Sequence, residues 1–295
     1  MSHHHHHHHH DHSSTGNLKV AFFLNLFFTV IEIIGGIFTN SLAILSDALH
    51  DLGDSLSLGL AWYFQNLSQK GRDSKFSYGY KRFSLLGAII NSIVLIVGSI
   101  FIIKSAIPRL LDPQVSNTKG MIILAIFGVI INGAAVLRLK KGSSHNEKVV
   151  SLHLLEDVLG WVAVLIGSIV MYFTNWYIID PILSFGIAAF ILFNVYKGLK
   201  SSLKIILQAI PENVEMDKIE AEILAVEGVS SIHDLHVWSM DGEKNVLTVH
   251  IVLTNGFAKQ HKIKSAISKA MLAFQINHCT IETEVEGEEC VLIDC

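Results

Sequence analysis

The sequence predicts an α-helical membrane protein with six transmembrane helices, followed by a cytoplasmic α+β domain with the element order αββαβ. Of its 295 residues, 51% are apolar and only 16% are charged, and the mean hydropathy is +0.46. These values are unusual for a soluble protein of this length. Several apolar runs are long enough, at about 1.5 Å per residue, to cross a hydrocarbon layer of about 30 Å. From residue 207 the chain becomes a charged mixture that is typical of a separate soluble domain.

Six apolar segments are the predicted spans: residues 18–38, 42–67, 85–103, 121–137, 158–179 and 182–196. Lysine and arginine are concentrated in the connections between spans two and three and between spans four and five, and after span six. The opposite connections carry fewer of them. By the positive-inside rule, both termini are predicted to be cytoplasmic.

The chain divides into three predicted parts: a His-rich tail at 1–17, a transmembrane domain at 18–206 and a cytoplasmic domain at 207–295. The tail contains eight consecutive histidines. It is either an expression tag or a native metal-gathering segment. In the cytoplasmic part, alternating apolar residues predict two hairpin strands and a later third strand, with helices near 215–226 and 257–274.

Spans two and five each carry a histidine and an aspartate four residues apart. These are His50 with Asp54 and His153 with Asp157. Residues at this spacing share one helix face. An intramembrane aspartate costs about 2.5 to 3.5 kcal/mol even on the lenient insertion scale, so two such pairs require a compensating role. A single pair could be a self-satisfied polar contact in the helix bundle, but the repetition favours a bound cation.

Two imidazole nitrogens and two carboxylate oxygens match the tetrahedral coordination that Zn²⁺ accepts. Ca²⁺ and Mg²⁺ prefer six or more oxygen ligands, and imidazole favours zinc, cobalt, nickel or copper. The four residues therefore predict a transition-metal site inside the membrane.

Other polar residues in the spans are weaker signals. Glu32, Asn91 and Asn132 are interpreted as interhelical hydrogen-bond partners. Three further carboxylates are left out of the predicted ligand set. Two of them, Asp47 and Asp51, would support the ligands or hydrate an outer vestibule, whereas Glu156 is one position off the face of His153.

Four stretches, in this order, resemble the cation diffusion facilitator family of zinc transporters: VIEIIGGIFTNSLAILSDALHDLGDSLSL, FSYGYKRFSLLGAIIN, SLHLLEDVLGWVAVLIG and IHDLHVWSM. The resemblance covers nearly the whole chain from residue 18. It implies that the two HxxxD pairs form the transport site, and that the protein is a homodimeric metal/proton antiporter with a ferredoxin-like, metallochaperone-like C-terminal domain.

The sequence departs from some bacterial members of this family in the loop between spans two and three. Those members carry a metal site there, formed by aspartate and histidine. This chain keeps Asp73 but has Phe76 and Tyr80 where histidines would be, so the loop site is predicted to be absent. A second difficulty is depth, because His153 and Asp157 lie near the start of span five. The four ligands meet only if that helix begins well before residue 150.

A second metal site is expected in the cytoplasmic domain. Cysteines 279, 290 and 295 all fall there, where thiolate ligation is favoured over disulfides. The family resemblance implies a regulatory zinc site that tightens the dimer. Its expected ligands are His233, His250, His261 and Glu284, with Cys290 and Cys295 resembling a family cysteine pair.

The predicted function is export of Zn²⁺ from the cytoplasm in exchange for protons, with secondary transport of Cd²⁺ or Co²⁺. The protein would cross the bilayer several times, in the inner membrane if the source is bacterial, and would have no nucleic-acid partner. One alternative is an intramembrane zinc enzyme, which would require an open coordination position and a base, as in HExxH; that motif does not occur. The other is a membrane-anchored metal sensor, for which one span would suffice.

Overall fold

The structure is a computed structural model that describes residues 12–68, 70–139, 145–254, 256–288 and 290. The histidine run at 3–10 and Cys295 lie outside these residues. The chain forms two compact units. Of the described residues, 12–66 and 87–198 belong to the first unit, and 67–86 and those from 199 to 290 belong to the second.

Six long helices account for the predicted spans: α1 (His12–Thr39), α2 (Leu42–Ser68), α3 (Phe83–Leu111), α4 (Thr118–Leu139), α5 (His145–Thr174) and α6 (Ile179–Ile206). All except α2 contain a described segment that is long and apolar enough to cross a membrane. Helix α2 has 27 residues, but Asp47, Asp51 and Asp54 lower its hydropathy. The predicted α-helical membrane fold is therefore confirmed.

Side chains at one end of the first unit fix the turn between α1 and α2. Asn40 adopts a left-handed conformation with φ of 54°, which asparagine tolerates better than most residues. Arg109 of α3 donates hydrogen bonds to the backbone oxygen and the side-chain oxygen of Asn40. At the start of α6, the Asp180 carboxylate accepts hydrogen bonds from the backbone N–H groups of Leu42 and Ala43. A residue distant in sequence thus caps the N-terminus of α2.

Helices α4 and α5 pack closely because a glycine faces a large aromatic side chain. A Cβ atom on Gly128 of α4 would overlap the ring of Trp161 on α5. Trp161 is almost fully buried, and its ring centroid lies 6.2 Å from that of Phe28 on α1. Many large apolar side chains elsewhere on the six helices are exposed, among them Phe27, Phe38, Val97, Phe101 and Phe173. This apolar exterior is suited to contact with lipid.

The second unit contains the predicted αββαβ order. Its elements are α7 (Met216–Leu224), β1 (Val229–Ser239), β2 (Asn245–Leu253), α8 (Gln260–Met271) and β3 (Ile276–Val285). Strand β2 is central, pairing antiparallel with β1 and parallel with β3. Apolar side chains of both helices cover the sheet, and the core includes Ile219, Ile223, Leu247, Ile251 and Ile267. The charged C-terminal part therefore folds around its own core.

Candidate metal sites

Helix α2 presents its ionisable side chains with helical spacing. Asp47, His50 and Asp54 are separated by three and four residues, so they follow one stripe of the helix. Asp51 and Ser55 are nearby on the same helix, where Asn25 of α1 donates hydrogen bonds to the Asp51 backbone oxygen and to the Ser55 hydroxyl. Packing against α1 therefore helps to fix the rotation of this polar stripe.

Helix α5 brings Asp157 to this stripe. The Nε2 atom of His50 lies 3.6 Å from Oδ1 of Asp157 and 3.8 Å from Oδ2 of Asp54. One donor atom from each of the three residues lies within 4.8 Å of the other two. Asp157 is buried, and its Oδ1 has no hydrogen-bond partner in the part of the chain that the structure describes. This geometry allows one cation to contact all three side chains.

Helix α5 begins at His145, thirteen residues before the uncharged segment that marked the span. The helix therefore begins before residue 150, as the meeting of the four predicted ligands requires. His153 is therefore helical and lies one turn before Asp157. Its side chain is outside the described part of the structure, so the fourth predicted ligand stays a prediction.

A cavity of about 350 Å³ adjoins His50 and Asp157. His50, Asp157 and Asp47 contribute polar atoms to its wall, as does Glu156, and apolar side chains of α6 such as Phe190 complete it. The cavity lies within the helical unit and offers space for a hydrated cation next to the candidate ligands. From the sequence, Asp47 was left outside the ligand set, as a residue that would support the ligands or hydrate an outer vestibule.

Three residues were interpreted from the sequence as interhelical hydrogen-bond partners, and they differ in their contacts. Asn91 of α3 donates a 2.7 Å hydrogen bond to the hydroxyl of Ser57 on α2, as an interhelical partner should. Glu32 is buried, and both of its carboxylate oxygens lack a hydrogen-bond donor among the described residues. The Asn132 amide nitrogen likewise lacks an acceptor among them.

The cytoplasmic unit contains a second cluster, which the strand register assembles. His233 of β1 is paired directly with His250 of β2, and their ring centroids are 5.1 Å apart. From β3, Oε1 of Glu284 lies 2.6 Å from Nδ1 of His250 and 3.4 Å from Nε2 of His233. Cys290, just after β3, places its sulfur 3.6 Å from Nδ1 of His250. Donor atoms of these four residues all lie within 4.8 Å of one another.

The electrostatics of this cluster suit a metal. Burial raises the pKa of the Glu284 carboxyl, but hydrogen bonds with Cys290 and His250 and the adjacent imidazoles outweigh it, so the pKa lies below its ordinary value. The carboxylate is therefore ionised at neutral pH, as metal ligation requires. Imidazole, thiolate and carboxylate together form a ligand set that Zn²⁺ accepts.

Among the predicted cytoplasmic ligands that the structure describes, one is not found in this cluster. His261 is exposed at the start of α8 and does not belong to the group of converging donor atoms. Cys295 lies outside the described residues. Conversely, Nε2 of His250 faces the carboxylates of Asp234 and Glu282, at 3.8 and 3.6 Å. Glu282 is two residues before Glu284 and therefore lies on the same face of β3, so alternation along this strand could have indicated it. The register pairs Glu282 directly with His250.

The loop between α2 and α3 uses its acidic residue for its own structure. The Asp73 carboxylate accepts hydrogen bonds from the backbone N–H groups of Lys75 and Phe76 and from the hydroxyl of Tyr80. The rings of Phe76 and Tyr80 pack with centroids 4.6 Å apart. Aromatic packing thus occupies the positions where histidine ligands would be required.

Comparison with known proteins defines the class. Residues 18–207 match the family model described as the cation efflux transmembrane domain, and residues 211–286 match the one described as the cation efflux protein, cytoplasmic domain. The chain belongs to the cation efflux family, which is the cation diffusion facilitator family that its motifs resemble. It is a multi-pass membrane transporter for metal cations, and it is not an enzyme.

Individual relatives are similar over most of their length. The chain is 36% identical to the metal cation efflux system protein CzcD of Cupriavidus metallidurans, over 91% of this chain and 86% of that protein. It is 35% identical to the cadmium, cobalt and zinc/H(+)-K(+) antiporter of Bacillus subtilis, over 94% and 92%. It is 32% identical to the zinc transporter ZitB of Pectobacterium atrosepticum, over 93% and 88%.

Proposed function

We propose that the protein exports Zn²⁺ from the cytoplasm in exchange for protons, through a site formed by His50, Asp54, His153 and Asp157. The observation that carries the proposal is the convergence of His50, Asp54 and Asp157 beside a cavity in the helical unit. His153 completes the set as the residue one turn before Asp157.

The ligand types favour zinc over harder cations. Imidazole nitrogen is a borderline donor that suits Zn²⁺, whereas Mg²⁺ and Ca²⁺ require more oxygen ligands. Cd²⁺ and Co²⁺ are the proposed secondary substrates, since both tolerate nitrogen and oxygen donors. The names of the Bacillus subtilis and Pectobacterium atrosepticum relatives both include zinc, which supports this substrate class.

Proton exchange follows from the same ligands. Moving one divalent cation outward against a 100 mV inside-negative potential costs about 4.6 kcal/mol, which is twice the value for a single charge. An inward flow of another ion must supply that free energy. Histidine binds metal only when neutral, and aspartate only when ionised, so release of the metal lets protons bind at the same atoms. The antiporter name of the Bacillus subtilis relative agrees with this coupling.

The orientation follows from the distribution of positive charge. We place both termini in the cytoplasm and the turn at Asn40 on the opposite side; if the source is bacterial, the membrane is the inner membrane. Transport is assigned to residues 18–206 and regulation to 207–295, while the tail at 1–17 receives no role.

The cytoplasmic cluster is the proposed regulatory site. Zinc bound by His233, His250, Glu284 and Cys290 would offset the repulsion among the carboxylates around His250, which are those of Asp234, Glu282 and Glu284. We infer that the protein is a homodimer and that this neutralisation strengthens contact between the two cytoplasmic units. High cytoplasmic zinc would thereby increase transport.

Zinc uptake by proteoliposomes tests the proposed function. Purified protein would be reconstituted, with zinc outside and an imposed pH gradient, acidic inside, and a fluorescent zinc indicator in the lumen. Uptake that requires the pH gradient is the expected result. Accumulation of zinc above the external concentration without a pH gradient or membrane potential would reject proton antiport. Absence of zinc flux under every gradient would reject zinc transport.

A further inference from the structure

Asp47 is a buried carboxylate beside the transport site that the coordination set does not use. Its side chain is only 6% exposed, and it lines the same cavity as His50 and Asp157. Its Oδ2 atom accepts no hydrogen bond from any residue that the structure describes. Buried carboxylates are normally hydrogen-bonded, paired or bound to a metal, so this one requires an explanation.

The position of Asp47 is fixed by the pairing of α2 with α5. His50 faces Asp157 across these helices, and Asp47, one turn earlier on α2, faces Gly160, almost one turn later on α5. A Cβ atom added to Gly160 would lie 3.3 Å from Oδ1 of Asp47. Glycine at this position therefore leaves room for the carboxylate between the two helices.

This arrangement places Asp47 on a defined side of the site. From His50 to Asp47 the chain runs toward the start of α2, and from Asp157 to Gly160 it runs toward the end of α5. Both directions lead to the membrane face of the Asn40 turn, which under the proposed orientation is the external face. A cation that leaves His50 and Asp157 outward would next meet Asp47.

We propose that Asp47 is a metal-binding residue on the release side of the transport site. During release, the bond between the cation and Nε2 of His50 breaks while a bond to Oδ2 of Asp47 forms. The cation then leaves through the cavity, and a proton takes its place on the imidazole. The Oδ2 atom, which has no hydrogen-bond partner among the described residues, is thus the ligand atom that receives the departing ion. This inference rests on the proposed zinc transport.

The test compares Asp47→Asn, which keeps the size of the side chain, with Asp54→Ala, which removes a proposed ligand of the loaded site. Both are made in the full chain carrying His233→Ala and His250→Ala, with serine in place of the histidines at 3–10. Equilibrium binding then reports the transport site. For Asp47→Asn, we expect the zinc Kd to stay within about threefold and the maximal rate of uptake to fall about tenfold, with KM changed by less than about threefold. Asp47→Glu, which retains a carboxylate, should recover part of the rate.

Glu156→Gln is the matched control, because Glu156 lies on the same cavity wall but is exposed and one position off the ligand stripe. Its zinc Kd and its maximal rate of uptake should each change by less than about threefold. A similar loss of rate in this control would assign the effect to the charge of the cavity as a whole and overturn the inference.

Two other outcomes would also overturn it. Normal transport by Asp47→Asn while Asp54→Ala is inactive would reject the release role but leave the proposed function intact. Loss of zinc binding by Asp47→Asn as severe as that of Asp54→Ala would make Asp47 a ligand of the loaded site instead. Normal transport by Asp54→Ala would instead count against the proposed function itself.

Discussion

At the scale of single residues, each candidate aspartate ligand has a free-energy cost inside the membrane unless a cation binds to it. The insertion cost of an intramembrane aspartate, about 2.5 to 3.5 kcal/mol, applies to both Asp54 and Asp157. His50 approaches both carboxylates, but at 3.6 to 3.8 Å these contacts are longer than ordinary hydrogen bonds. A metal ion between them would replace two long contacts with coordinate bonds.

Asp157→Ala tests this role directly. We expect zinc uptake to fall at least about 100-fold, since one proposed ligand oxygen is lost, and the thermal midpoint of unfolding to change little. Flux in proteoliposomes and thermal unfolding in detergent provide the two measurements. Asp112→Ala, at an exposed position outside the site, is the control. Near-normal zinc flux in Asp157→Ala would exclude Asp157 from the site.

His50→Asp tests the selectivity that the imidazole provides. Replacing a nitrogen donor with an oxygen donor should shift the preference from zinc toward larger or harder cations such as Cd²⁺ and Mn²⁺. Competition between Zn²⁺ and each of these ions in the uptake assay measures the change. An unaltered order of preference would mean that the imidazole does not select the metal.

At the scale of elements, the sequence predicted the number and order of helices and strands more accurately than their ends. Hydropathy located the apolar middle of α5 at 158–179, but the helix begins at His145. The earlier turns carry polar residues such as Asn146, Glu147 and Lys148, so composition alone could not assign them to the helix. The cap of α2 by Asp180 was also not predictable, since it joins residues about 140 positions apart.

Packing between α4 and α5 depends on the absence of a side chain at Gly128. We expect Gly128→Ala to destabilise the helical unit by about 1 to 3 kcal/mol, because the added Cβ would overlap the Trp161 ring. Thermal unfolding in detergent would measure it. Gly133→Ala on the same helix is the matched control, since nothing lies within 4 Å of a Cβ there. Equal stability of the two variants would show that this contact does not limit packing.

At the scale of the whole molecule, a helical unit that holds one candidate metal site is joined to an α+β unit that holds another. The family resemblance predicted His233, His250, Glu284 and Cys290. It could not predict which histidine would contact most of the other ligands, because that depends on the pairing of β2 with both neighbouring strands. His261 is exposed at the start of α8 and does not belong to the converging donor atoms, so its role as a ligand stays a prediction.

The double variant His233→Ala with His250→Ala separates regulation from transport. We expect the full-length protein to lose about one bound zinc per chain, because two of four proposed ligands are removed, while zinc flux continues at a reduced rate. Calorimetry would give the stoichiometry, and cross-linking would report the dimer. The same stoichiometry as the unaltered protein would mean that zinc does not bind at this cluster.

Zinc and proton movement can be measured together in one preparation, and this tests the central claim most directly. Proteoliposomes with no initial pH gradient would receive external zinc, while a pH-sensitive dye reports the lumen. If zinc and protons exchange at the same atoms, zinc entry should drive protons out and make the lumen alkaline, and Asp157→Ala should abolish both signals. Zinc entry without any change in luminal pH would contradict the account.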